Sequence, residues 1–299
     1  MVLILPSLEE RPHAMLRLLR FDTMASAACV LIHSKKANDI MPSDGPLTET
    51  PGPRDSNLSG GTQPAISPPA IRALLLPVKD LRNAKQRLAP VLSLEERFGL
   101  AHAMLQDTLR VIRGMQGGAK VFVVTNYAPV MEAAASSGWE ILREEKQISE
   151  SDSVDSASRL CAERGVTALL RLPLDLPLVQ SVDIDELFSV ECSAPSAILV
   201  PSRDGTGTNA ILRTPPTLFP SHFGPNSFAK HQAEAKRTGA AIIVKRNARL
   251  ELDVDDEADL RALLQQGLSH TITGAWLEQS GVAARFRPRG TAACSNHFA

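Results

Sequence analysis

Three aspartates stand where apolar runs end. Asp175 lies in Leu172-Pro173-Leu174-Asp175-Leu176-Pro177-Leu178, a lone carboxylate among leucines, framed by two prolines. Such a group is costly to bury unless it is paired or metal-bound. A hard cation such as Mg2+ takes one or two carboxylates and completes its shell with phosphate oxygens and water. In Leu252-Asp253-Val254-Asp255 the alternating carboxylates fall on one side of an extended segment. Asp175 with Asp253, and Asp255 in reserve, is therefore the expected magnesium site. A plain helix cap at Asp175 and an acid-rich helix start at Asp256 and Glu257 are the competing structural readings.

A second group of residues suits anions. Pro77-Val78-Lys79-Asp80-Leu81-Arg82-Asn83-Ala84-Lys85-Gln86-Arg87 follows an apolar run, and Lys79, Lys85 and Arg87 would converge on a phosphate if the loop wraps around it. With no glycine-rich turn, a solvated loop is an equal alternative. Asp204-Gly205-Thr206-Gly207-Thr208-Asn209 alternates glycine with threonine, so backbone and hydroxyls can approach an oxyanion closely. Phe223-Gly224-Pro225-Asn226-Ser227-Phe228 leads a small-residue turn into a helix start, another anion-friendly place. No Ser–His–Asp set is evident. His102, His222 and His231 stand alone in sequence and read as satisfied surface or helix residues rather than bases. A nucleophile that is already an anion would need no base.

Composition narrows the classes of function. The 32 basic and 33 acidic residues leave a net charge of -1, which gives no general electrostatic footprint for nucleic acid. One Tyr and two Trp are too few for a base-stacking platform. Four scattered cysteines, with no C-x-x-C pair, suggest reduced thiols and a cytoplasmic setting. No apolar run approaches the ~20 residues of a membrane span, so no membrane partner is expected. Oligomeric state is not legible, although a homodimer is compatible with the sequence.

The elements that must hold these residues follow from periodicity. Residues 38–69 are rich in Pro, Ser, Gly, Thr and Asp, and residues 1–70 read as a disordered extension or a mis-assigned start. From Ile71 short apolar runs alternate with amphipathic stretches. Strands are expected at 73–78, 121–125, 139–142, 168–172, 197–200 and 241–244. Helices are expected at 93–112, 130–137, 153–164, 183–190, 227–238 and 257–266. Ser93 with Glu96 forms a capping-box pattern. This alternation predicts an α/β domain over 71–267, with a mostly parallel sheet covered by helices on both faces. Residues 268–299 read as a flexible tail. Ligands on such sheets bind at the carboxyl ends of the strands, where the loops above lie.

In this order the motifs resemble the family of 2-phospho-L-lactate guanylyltransferases with their phosphoenolpyruvate and 3-phospho-D-glycerate guanylyltransferase relatives, enzymes of coenzyme F-420 biosynthesis. The resemblance covers roughly residues 72–264. It implies a Rossmann-like nucleotidyltransferase domain that moves GMP from GTP onto a small phosphorylated acid, releasing pyrophosphate with Mg2+ as cofactor. Carried over onto this sequence, it implies catalytic roles for Lys79, Lys85 and Asp175, and nucleotide binding by Pro77, Lys79, Lys85, Arg87 and Asp155. It implies acceptor binding by Thr208, Asn209, Gly224 and Ser227. Two departures stand out: Val154-Asp155 where the family often has Leu-Asn, and Gln86 where Ser is usual. A molybdenum-cofactor nucleotidyltransferase is the nearest competing enzyme, but it would want a glycine-rich first loop. A non-catalytic nucleotide-binding module would be expected to lose the three aspartates. The identity of the acid is not legible in the sequence.

Overall fold

A computed structural model describes residues 70–144 and 148–287. The expected extension up to residue 69 and the end of the expected tail, 288–299, lie outside the described residues. Seven strands form one sheet: β1 Arg72–Pro77, β2 Lys120–Val124, β3 Glu140–Leu142, β4 Ala168–Arg171, β5 Ser196–Pro201, β6 Thr208–Thr214 and β7 Ala241–Val244. Their order is β3-β2-β1-β4-β6-β5-β7. All neighbours pair in parallel except β6, which runs antiparallel between β4 and β5. The chain leaves β1 toward β2 and β3, then returns to lay β4 on the other side of β1. The crevice between β1 and β4 is thus the topological switch point, the usual ligand position on such sheets.

Helices α1 Leu94–Arg113, α2 Ala128–Ser136, α4 Ser181–Ser189 and the single turn α6 Ala248–Glu251 cover one face. There Leu74 and Leu76 of β1 pack with Leu105, Val130, Leu187 and Leu250. The alternate residues Ala73 and Leu75 face α3 Glu150–Glu163 on the opposite side, as the two-residue period of a strand requires. α5 Ser227–Arg237 extends that second layer over β5 and β6. The expected capping box at Ser93 is formed, with the Glu96 amide donating to Ser93 Oγ and the Ser93 amide to Glu96 Oε2.

Two expectations change. β6 went unread because only Ala210, Ile211 and Leu212 are apolar and its polar ends look like loop. Thr208, Asn209 and Arg213 are nonetheless buried. The second concerns the expected flexible tail from residue 268. Its first part is helical: α8 Ile272–Gln279 and α9 Val282–Phe286 pack with α7 Glu257–Leu264 against the outer face of α1. The buried carboxylate of Asp107 on α1 accepts the amides of Ile272 at 2.8 Å and Thr273 at 2.7 Å, which satisfies the free donors of the α8 start. Leu277, Val282 and Ala283 then close the second core, too few apolar residues to give a clear period in a short polar stretch.

Leu277 is fully buried. Leu277→Ala should therefore destabilise the fold by about 2–5 kcal/mol, the range for emptying a leucine site, read as a lowered urea midpoint. An unchanged midpoint would show that the α8–α9 pair does not belong to the folded core.

Candidate active site

At the carboxyl ends of β1 and β4 the chain brings three carboxylates and one ammonium together. Asp175 follows β4, and its carbonyl accepts the amide of Val254 at 3.2 Å. That bond sets the register of the 253–255 segment: Val254 turns into the core, and Asp253 and Asp255 flank it on the open side. The alternation expected from Leu-Asp-Val-Asp is therefore realised. Asn209, at the start of β6, locks the same segment. Its amide nitrogen donates to the carbonyls of Leu250 and Glu251 at 3.0 Å each and to Asp253 Oδ1 at 3.1 Å. Buried Asp183 holds the preceding turn through Asn247 and Arg249.

Lys85 lies between these carboxylates. Its Nζ donates to Asp175 Oδ2 at 2.7 Å and to Asp255 Oδ1 at 3.0 Å, with the side chain 8% exposed. Burial alone would lower the Lys85 ammonium and raise the Asp175 carboxyl. The attraction outweighs it in both, so Lys85 sits above the ordinary lysine range and Asp175 below the ordinary carboxylate range. Lys85 adopts φ 55, ψ 46, a left-handed conformation unfavourable for a side-chain-bearing residue. Its two carboxylate partners hold it there, and functional sites are where such local cost concentrates. Asp253 has no cationic partner among the described residues. Burial and then the Asp175 charge push its carboxyl up to about 6, with Asp255 adding and the Asn209 hydrogen bond opposing.

Two cavities meet over this cluster. The first, about 500 Å3, is walled by Pro77 and the loop through Lys79, Lys85 and Arg87, with Ser153 opposite. The second, about 520 Å3, is walled by Thr208, Asn209, Gly224, Asp253 and the 202–207 turn. Arg87, Glu150, Arg171, Asp175 and Asp255 border both. Because β6 is antiparallel, its first residues, not its last, reach this edge of the sheet, and so Thr208 and Asn209 arrive beside Asp253. Gly224 shapes the second cavity with φ 112, a conformation for which a side chain is unsuited.

Two expected site residues are placed otherwise. Asp155 borders neither cavity. Both its oxygens accept the Ser221 amide at 3.0 Å, and Arg213 pairs with it at 3.4 Å, so it anchors a turn instead of facing a nucleotide. Its helical phase explains this, since Ser153 and not Asp155 faces the first cavity. Ser227 is 2% exposed, and its Oγ accepts the Thr208 amide at 2.8 Å. It braces the wall from behind and does not line it. The glycine–threonine turn is also largely self-satisfied: Asp204 accepts from Ser202, the Thr206 amide and the Thr206 hydroxyl.

Arg171 and Glu150 were missed. Arg171 is 6% exposed, donates from Nη1 to the Asn209 carbonyl at 3.0 Å, pairs with Glu150 and stacks on Phe223 at 4.2 Å. A single arginine inside Ala-Leu-Leu-Arg-Leu-Pro-Leu is the signal that could have found it, since a charge buried in a strand needs partners.

Among the described residues no three His, Cys, Asp or Glu side chains converge closely enough to form a metal cage. The donor set suits a different arrangement. Asp175 and Asp255 at the seam of the two cavities, with Asp253 in the wall of the second, carry more negative charge than Lys85 offsets, which fits a divalent cation whose remaining ligands are phosphate oxygens and water.

The family model described as "Guanylyl transferase CofC like" matches residues 72–293. Phosphoenolpyruvate guanylyltransferase of Rubrobacter xylanophilus is 37% identical over 193 residues, 64% of this chain and 93% of that protein. 2-Phospho-L-lactate guanylyltransferase of Methanothermobacter thermautotrophicus is 31% identical, covering 64% of this chain and 84% of that one. 3-Phospho-D-glycerate guanylyltransferase of Colwellia psychrerythraea is 30% identical, covering 67% and 95%. A solved structure from Desulfovibrio desulfuricans, provisionally described as a nucleotide-diphospho-sugar transferase, overlays with TM-score 0.60 at 16% identity over 72% of this chain and 97% of that one. It shares the fold.

The raised Asp253 carboxyl has a direct consequence. It stays protonated to about pH 6 in the folded chain against 3.8 as its ordinary value, so the folded state binds more protons between those limits. Stability should then fall as pH rises through that window. In EDTA, Asp253→Asn should remove this loss and be more stable than wild type above pH 6, by at most about 3 kcal/mol. Urea melts at acid and neutral pH check it; parallel pH profiles for the two proteins would refute it.

Proposed function

The chain belongs to the CofC-like guanylyl transferases, and from that premise we propose that it moves GMP from GTP onto a small phosphorylated acid, with phosphoenolpyruvate the first choice. The observation that carries this reading is the meeting of two cavities over Asp175 and Asp255, with Asp253 in the wall of the second. The first cavity, with Pro77, Lys79, Lys85 and Arg87, suits the triphosphate. The second, with Thr208, Asn209 and Gly224, suits the acid. Phosphoenolpyruvate is favoured because the relative from Rubrobacter xylanophilus bears that name at 37% identity, against 31% and 30% for the phospholactate and phosphoglycerate relatives. The family resemblance supports reading the product as one of coenzyme F-420 biosynthesis.

In this reaction an oxygen of the acceptor phosphate forms a bond to the α-phosphorus. The bond from that phosphorus to the β-bridging oxygen breaks, and pyrophosphate leaves with the electron pair. A phosphate is already ionised near neutral pH, so the chain needs no general base. Its task is alignment of two anions. Lys79 and Arg87 counter charge on the nucleotide side. Lys85 holds Asp175 and Asp255 in place through a hydrogen bond to each. Asp175 and Asp253, with Asp255 beside them, would hold Mg2+, which would supply neutralisation of charge around the α-phosphate.

The test is pyrophosphate release by the purified chain with GTP, Mg2+ and each of the three acids in turn. Turnover should be fastest with phosphoenolpyruvate; no turnover with any of them would overturn the reading. Asp175→Asn should lower turnover at least ~100-fold, the scale of losing a major electrostatic stabiliser.

A further inference from the structure

His231 on α5 is fully buried, with the edge of the Phe223 ring against it at 5.1 Å between centroids. Both ring nitrogens are engaged. The His222 amide donates to Nε2 at 2.9 Å, and Nδ1 lies 2.9 Å from Thr208 Oγ1. A backbone N–H can only donate, so Nε2 carries no proton. The ring is neutral: burial first, then the charges of Arg213, His222 and Arg171, opposed by Glu234, push it down to about 3. Its single proton therefore sits on Nδ1 and is donated to Thr208 Oγ1.

That donation constrains Thr208. With one lone pair occupied, the hydroxyl must point its own proton elsewhere, and no acceptor for it is found among the described residues. The Thr208 amide is already given to Ser227 Oγ. Thr208 borders the second cavity, which is the open direction left. We infer that His231 is a positioning residue that fixes the Thr208 hydroxyl as a hydrogen-bond donor aimed into the second cavity, where it takes an oxyanion of the phosphorylated acid. This rests on reading that cavity as the acceptor half-site. A freely rotating hydroxyl serves donors and acceptors alike; this one serves acceptors only, and so favours a carboxylate or phosphate oxygen over a hydroxyl or amide donor.

Nitrogen NMR of the full chain reads the tautomer without substrate. A neutral Nδ1–H ring should persist across about pH 5.5 to 8, the range in which an ordinary histidine titrates. In kinetics, His231→Gln keeps an acceptor for the His222 amide but has no donor at the Nδ1 position. It should raise the acid's KM roughly ten- to a hundredfold and leave the GTP KM nearly unchanged. His231→Asn, whose amide nitrogen takes the Nδ1 place, should recover most of that loss. Thr208→Val should match the glutamine variant, and the double variant should be no worse than Thr208→Val alone. An Nε2–H tautomer, multiplying effects in the double variant, or equal losses for GTP and acid would each overturn the positioning role. If the wild-type chain used none of the acids, the functional reading would fall, while the tautomer would still decide what His231 holds.

Discussion

The ammonium of Lys85 between Asp175 and Asp255 is the contact on which the rest of the site depends. Three carboxylates at the end of a buried sheet repel one another, and Asp175 and Asp253 are partly withdrawn from solvent. A cation held within hydrogen-bond reach of two of them makes the arrangement tolerable. A buried pair of this kind adds little net stability, because desolvation cancels much of the attraction, yet removing one partner strands the other. The same contact restrains the loop after β1, since Lys85 is the left-handed residue from which the turn Gln86–Leu88 starts. Position, charge state and loop conformation are thus tied to one side chain.

Around that centre the scaffold is tied by hydrogen bonds to backbone carbonyls. The Val254 amide to the Asp175 carbonyl and the Asn209 amide to the Leu250 and Glu251 carbonyls bind three separate segments at one edge of the sheet. Arg171 adds a fourth tie through the Asn209 carbonyl. The antiparallel β6 makes this geometry available. In an all-parallel sheet its first residues would lie at the opposite end. A tight connection from β5 instead reverses the chain and returns Thr208 and Asn209 to the side where the loops of β1 and β4 gather.

A second layer behind the cavity wall is polar and largely buried. Arg213 donates to the Phe219 carbonyl and Ser158, Asp155 accepts the Ser221 amide, and His231 joins the His222 amide to Thr208. Buried polar groups are stable only when satisfied together, and satisfied networks hold one geometry. The cost of burying these groups is offset by a wall whose donors face a defined way.

Much was written locally. The α/β alternation, the capping box at Ser93, six of the seven strands and the same-side placement of Asp253 and Asp255 follow from periods of 2 and 3.6 residues, which any segment carries within itself. The anion-suited loops were visible as runs of basic, glycine and threonine residues at strand ends. Tertiary structure alone decided which of these residues meet. Lys85 finds its partners 90 and 170 residues away, and no local pattern encodes that. It also turned Asp155 and Ser227 from expected ligand contacts into braces, because helix phase and the path of β6 set which side of each residue faces the cavity. The α8–α9 pair and β6 were hidden for a related reason. Their burial is supplied by neighbours from elsewhere in the chain, such as Asp107 under the start of α8, and not by an apolar period of their own.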